Sequence, residues 1–239
     1  MFNFGYYYNF DISYIVLVLP CIILSLWASI NVNNTFKKYS RQLSSRRITG
    51  AQAAQRVLSA HGVYNVRIER IPGNLTDHYD PKTNVIRLSD SVYDNTSTAA
   101  IGVACHEAGH AVQYAKDYAP IKLRAAIVPV TNIGSKLAMP LILLGLALSV
   151  FMNLSYTIVY IGIACFSLSL VFQLVTLPVE FNASRRAIVS IEQGDLLSPQ
   201  ELKGARKTLT AAALTYVAAT AVALMQLLRL ILIFGRRDD

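Results

Sequence analysis

"ACHEAGHAVQ", residues 104–113, decides how this chain is read. It lies on a helix expected to run from about Ser97 to Asp117, and the polar end of that helix is unsuited to crossing a membrane. The rest of the chain is apolar. Of 239 residues 54% are hydrophobic and 15% charged, and the mean hydropathy is +0.40. Runs of about 20 apolar residues are what a bilayer core requires of a helix, and four are present: Ser13–Ser29, Leu137–Met152, Ser155–Pro178 and Ala211–Phe234. The second is short and extends back through "IVPVTNIGSK", with Lys136 reaching toward the interface along its aliphatic stem.

Working outward, "TGAQAAQRVLSAHG" before the motif reads as a short helix with Thr49 as its cap and Gly62 as its stop. "YNVRIER" alternates Tyr64, Val66 and Ile68 with polar residues, as a half-buried strand does. "NVIRLS", residues 84–89, gives a second strand, and "LTDHYDPKT" carries an Asp-Pro turn and adds a third, short one. Beyond the motif, only "NLS", residues 153–155, separates the second and third spans, which therefore form a helical hairpin across the membrane. "SPQE", residues 198–201, is a capping box with Pro at the first helical position, and its helix continues into the fourth span. The fold class is α+β: a mostly helical membrane protein with about four transmembrane helices and a small antiparallel sheet beside the HEAGH helix. The segments are an anchor (1–30), the polar part with sheet and HEAGH (31–136), the hairpin (137–178), a helix with connecting loop (179–210) and a last span with tail (211–239).

The flank "MFNFGYYYNFD" has no Lys or Arg, so the first span does not resemble a cleavable signal peptide. Lys37, Lys38, Arg41, Arg46 and Arg47 follow it, which places residues 31–130 in the cytoplasm and the amino terminus outside. The aromatic run of residues 4–10 fits an outer interfacial belt. The net charge of +8 gathers at span edges, where it meets anionic lipid. No basic face with stacking aromatics points to nucleic acid. Cys21, Cys105 and Cys165 form no disulfide framework.

Residues four apart share a helix face, so His106 and His110 can present nitrogens to one ion. Glu107, turned by about 100°, reaches instead a water beside that ion. This is the division of labour in zinc hydrolysis: two histidines hold the metal and a glutamate takes the proton of the water. Gly109 permits a close approach by another backbone. A catalytic zinc takes three protein ligands and keeps one position open. No histidine follows His110, and no Asp, Glu or His lies between Asp117 and Glu180. The hairpin returns Glu180, in "LPVEFNASRRA", to the face that carries HEAGH, so Glu180 is the leading third ligand for one Zn2+ per chain. Glu192, Asp195, Asp117, His61 and His78 are weaker alternatives.

"LTDHYDPKTNVIRLSDSVY", "AAIGVACHEAGHAVQ", "LPVEFNASRRA" and "LTAAALTYVAA" together resemble the YugP-like putative neutral zinc metallopeptidases of bacterial membranes, over about residues 45 to 225. The resemblance implies a zincin-type active-site helix and a gluzincin-type site: zinc on His106, His110 and Glu180, with Glu107 as catalytic base. A broader kinship is with membrane peptidases that follow HExxH with E-x-x-x-D. Here Ser184 stands in the place of that aspartate, as a weaker, neutral partner for a ligating histidine, or else Asp77 or Asp80 supplies the carboxylate. The resemblance also makes "NVIRLS" the edge strand along which a peptide lies. His78, Tyr79 and Arg185 are its candidates for stabilising the oxyanion.

The leading function is a membrane-anchored zinc endopeptidase, acting on a peptide or protein substrate near the cytoplasmic face of a bacterial cell membrane. An intramembrane protease fits less well, because no acid lies within a span. The reading from a different class is a non-catalytic membrane adaptor with a structural zinc, for which His61 or His78 would close the fourth position. The small residues of "AAALTYVAATA" can pack helices within a chain, in a homo-oligomer or against another membrane protein.

Overall fold

The computed structural model describes residues 12–148 and 155–235. The aromatic run at 4–10, the turn at 153–154 and the last four residues lie outside that range. Helix α1 (Leu19–Tyr39) follows a π-helical turn (Tyr14–Val18), and α2 (Gly50–Ala60) comes next. Strands β1 (Arg67–Ile71), β2 (His78–Asp80) and β3 (Val85–Ser89) precede α3 (Thr98–Ala115). Three long helices complete the chain: α4 (Ala119–Leu148), α5 (Ser155–Gln193) and α6 (Pro199–Phe234). Among the described residues four helical stretches are long and apolar enough to cross a membrane: Tyr14–Tyr39, Ala119–Leu148, Tyr156–Gln193 and Pro199–Phe234. The protein is thus the expected α+β membrane protein, and the second span belongs to a helix that reaches back to Ala119.

The chain divides into two compact units. The first comprises Met1–Trp27, Leu123–Thr176 and Tyr216–Asp239. In it α4 and α5 run antiparallel and close together, because small residues face each other. The Ser135 and Ser169 hydroxyls lie 2.8 Å apart, and a Cβ on Gly162 would stand 3.0 Å from the Ala138 carbonyl oxygen. Such contacts replace the hydrophobic drive that is lost among apolar neighbours. Tyr160 donates its hydroxyl to the Phe234 carbonyl at 3.1 Å, and Ile142, Val159, Leu230 and Phe234 form a small core.

The second unit comprises Ala28–Lys122 and Leu177–Thr215. Its local signals act as read. Thr49 and Gln52 form a capping box on α2, and Gly62 takes φ +72° just beyond the helix end. Ser97 caps α3 by accepting from the Ala100 N–H. Glu201 accepts from the Ser198 N–H at 2.9 Å and also from the Ser45 N–H at 2.7 Å, so the cap of α6 holds the loop after α1 as well.

The sheet departs from expectation. It is mixed, not antiparallel, with order β1-β3-β2. The tight turn through Pro81 makes β2 and β3 an antiparallel hairpin, with Tyr79 opposite Ile86. β1 pairs parallel to the other side of β3, with Ile68 opposite Ile86, because the chain crosses from β1 to β2 past the end of β3. β3 takes the middle because it is the most apolar strand, with Val85, Ile86, Leu88 and Ser89 all buried. "NVIRLS" is therefore the central strand, and the edge strand that touches α3 is β2. Tyr64 is 78% exposed and lies ahead of β1, so the alternation read from it holds only from Val66, which is buried, to Ile68, which is half-buried.

Helix α3 is the core of this unit, with Ala100, Ile101, Ala104, Cys105, Ala108 and Val112 fully buried. Two glycines set how closely other helices approach it. A Cβ on Gly102 would meet Ala205 of α6 at 3.3 Å, and one on Gly109 would stand 2.8 Å from the Ala183 carbonyl oxygen of α5. The second distance is too short for any side chain. Gly109 therefore admits the α5 backbone at Ala183, between Glu180 and Ser184.

Candidate metal centre

That approach assembles the site. His106 and His110 lie one turn apart on α3, with their Nε2 atoms 3.1 Å apart. Glu180 Oε2 is 3.3 Å from His106 Nε2 and 3.6 Å from His110 Nε2. The three ligand atoms lie within 4.8 Å of one another, and Glu180 is 3% exposed. Two imidazole nitrogens and one carboxylate oxygen converging on one point are a donor set suited to Zn2+. Glu107 is also buried and lies next to His106 on the same helix.

Each histidine is held from behind. Ser184 Oγ lies 3.1 Å from His106 Nδ1. His110 Nδ1 is 3.0 Å from Gln113 Oε1. An amide oxygen only accepts, so His110 carries a proton on Nδ1, and Nε2 is the nitrogen on the side of Glu180. Gln113 is fully buried, and its amide nitrogen donates to the Val179 carbonyl at 2.8 Å and to Asn182 Oδ1 at 3.0 Å. Arg186 Nε donates to the same Asn182 oxygen at 2.7 Å. One side chain thus ties the HEAGH helix to the residues on either side of Glu180. The motif reading passed over Gln113. Its spacing of three from His110, on the same helix face, was the available signal.

The electrostatics favour a cation. Burial works to lower the His110 pKa, but the hydrogen bond to Glu180 and the charges of Glu107 and Glu180 outweigh it and raise the pKa above its ordinary value. Burial also raises Asp77, assisted by the charge of Glu107 and opposed by hydrogen bonds from Ser89. Asp77 accepts from the Ser89 N–H at 2.7 Å and from its hydroxyl, and Asp80 accepts from Arg87 at 3.0 Å. The carboxylates proposed to replace Ser184 behind a histidine are therefore engaged in the sheet, and Ser184 itself fills that place.

The structure brings together His106, Glu107, His110, Glu180 and Ser184, and most of the other candidates have partners of their own. His78 is exposed, with Nδ1 2.9 Å from the Thr76 carbonyl. Tyr79 donates its hydroxyl to Asn84 Oδ1 at 2.7 Å, and burial, with Tyr114 and Asp80 nearby, pushes its pKa up to about 12. Arg185 lines a groove between α5 and α6. His61 Nδ1 sits 2.9 Å from the Val57 carbonyl, Asp117 pairs with Lys122 at 2.6 Å, Asp195 pairs with Arg46, and Glu192 is exposed. The cysteines are free, and burial pushes the Cys105 thiol far up, which makes it inert.

The family described as "Putative neutral zinc metallopeptidase" matches residues 14–235 of the chain. A relative from Bacillus subtilis (strain 168), "Putative membrane protease YugP", is 46% identical over 227 residues, covering 95% of this chain and 99% of its own. No solved structure matches significantly. With a family match over nearly its whole length and a relative of that identity, the chain belongs to the putative neutral zinc metallopeptidases.

Proposed function

We propose that the protein is a membrane-anchored zinc endopeptidase, with His106, His110 and Glu180 as metal ligands and Glu107 as catalytic base. The observation that carries this reading is the convergence of the three ligand atoms beside a buried glutamate on the same helix. A bound zinc ion supplies a Lewis acid, which polarises a carbonyl and acidifies water. Glu107 takes the proton from the attacking water and returns it to the leaving amine. Gln113 and Ser184 keep both imidazoles in the orientation and tautomer that ligation requires. Among the described residues the cluster holds three ligands and no fourth. His61 and His78, the spare ligands that a closed structural site would need, contact the Val57 and Thr76 carbonyls. This favours an open, catalytic site over a structural one.

The edge strand β2, which touches α3, is the proposed seat of an extended peptide in place of "NVIRLS". Lys37 and Lys38 in the last turn of the first span, and Arg41, Arg46 and Arg47 after it, all exposed, support a cytoplasmic active site. The test is cleavage of casein by the zinc-loaded protein in detergent, beside Glu107→Gln, with zinc content measured in both. Cleavage by the wild type alone, at equal zinc content, is expected. Equal cleavage by both would refute the role of Glu107.

A further inference from the structure

A groove of about 400 Å³ runs between α5 and α6, with Phe181, Ser184, Arg185, Ile188, Arg206 and Leu214 in its walls. A connection of five residues joins the two helices, so they run antiparallel and the groove has an apolar and a polar end. At the apolar end, Phe181 of α5 faces Leu214 of α6. Phe181 lies three residues after the apolar run that ends at Pro178, and Leu214 lies three residues inside the run that opens at Ala211. Toward the other end come Arg185, then Arg206 with Glu192. The groove thus lies where the lipid-compatible stretches of both helices give way to polar sequence. Phe181 is 48% exposed, an apolar ring offered beside a guanidinium. Arg185 and Arg206 are exposed and make no ion pair with the described residues.

We propose that this groove binds an anionic phospholipid, its phosphate between Arg185 and Arg206 and an acyl chain along Phe181 and Leu214. Charge complementarity selects the occupant: two unpaired guanidinium groups against one acid leave a net positive site, and Arg suits phosphate through its planar fork of donors. Basic pockets between membrane helices take anionic head groups for this reason. The apolar end, level with the end of the third span and the start of the fourth, suits a lipid tail better than a soluble anion. Ser184, whose hydroxyl contacts His106, is also in the wall, so the bound lipid would lie beside a group that orients the metal centre.

The test uses the full-length chain in detergent, titrated with phosphatidylglycerol or with phosphatidylcholine of the same acyl chains, and bound lipid is counted by native mass spectrometry. Wild type is expected to retain phosphatidylglycerol in preference. Arg185→Gln with Arg206→Gln should weaken that retention on the order of tenfold. Val189→Trp, which fills the groove and leaves both charges, should weaken it comparably. Lys207→Gln, a neighbouring exposed cation outside the groove, should retain it. Circular dichroism of each variant confirms the fold. The proposal is overturned if wild type shows no preference, if Val189→Trp binds as wild type does, or if Lys207→Gln loses as much as the arginine pair.

Discussion

Replacing Gln113 with Leu tests whether the buried amide governs metal affinity. In the wild type His110 Nδ1–H donates to Gln113 Oε1 at 3.0 Å, in a place from which water is excluded. Without metal, the variant has a way out: the imidazole proton moves to Nε2, where Glu180 Oε2 stands 3.6 Å away and accepts it. Metal binding closes that route, because Nε2 must give its lone pair to the ion and Nδ1 must carry the proton. The N–H is then buried without a partner, which costs about 1–3 kcal/mol. The cost falls on the metal-bound state, so it appears as lost affinity: at about 1.4 kcal/mol per decade, roughly 5- to 150-fold, which brackets the 10–100-fold effect typical of such outer partners. The other groups lose less, since Asn182 Oδ1 keeps Arg186. The assay is competition for zinc against a chromophoric chelator, in detergent, with Gln113→Glu alongside. Glu keeps an acceptor for Nδ1–H and should recover most of the affinity. If Gln113→Leu, folded by circular dichroism, binds zinc within threefold of wild type, the argument that Gln113 fixes the tautomer fails.

Three further outcomes are expected. Gly109→Ala puts a Cβ 2.8 Å from the Ala183 carbonyl oxygen and should cost about 1–3 kcal/mol by overpacking, with a lower melting temperature and weaker zinc binding as α5 is pushed off α3; an unchanged melting curve would mean that the helices do not meet there. Ser184→Asp puts a carboxylate within reach of His106 Nδ1, which should tighten zinc severalfold while lowering the melting temperature of the metal-free form, since buried like charges accumulate; chelator competition and paired melts separate the two effects. Thr83, then Arg87 and the Lys82 N–H, hold Asp80 well below the usual carboxylate range, so its folded pKa lies under its unfolded value of about 3.9. Its stabilisation of the β2–β3 hairpin is then present above that value and lost as pH falls through the folded pKa; acid-dependent amide exchange in the hairpin should disappear as a pH effect in Asp80→Asn.

Much of the site was legible because chain order and helical spacing constrain it. Four residues separate the two histidines, and the stretch from Asp117 to Glu180 offers no other acid, so composition alone left few choices for a third ligand. The helix starts were equally local, since Thr49, Ser97 and Ser198 act on backbone groups three residues away. The sheet was not local. Alternation in "YNVRIER" and "NVIRLS" shows which side chains go inward but not which strand lies between the other two. The parallel pairing of β1 with β3 follows from a crossing of the chain that no dipeptide signals. Gln113 was missed for a similar reason: its partners Val179 and Asn182 are 66 and 69 residues away, and a buried glutamine has no periodicity of its own. Tyr79 looked like a free phenol only because the hairpin that brings Asn84 to it is a product of folding.

The departure from E-x-x-x-D also has a physical account. Both histidines are oriented here by neutral groups, Ser184 and Gln113, at 3.1 and 3.0 Å. The site already holds two buried carboxylates, Glu107 and Glu180, and the charge of Glu107 is felt as far as Asp77, whose pKa it helps to raise. A further carboxylate at position 184 would add to this crowding of like charge, and burial makes each such charge harder to keep. A hydroxyl and an amide fix imidazole orientation without adding charge, so a divalent ion bound there would meet one anionic ligand and two neutral ones. The net positive charge that such an ion would keep is what a carbonyl oxygen gaining negative charge would need. The cost would be a weaker hold on a metal than an anionic partner gives, while the close packing of Gly109 on Ala183 and the bridge from Gln113 to Val179 and Asn182 fix where the three side chains stand.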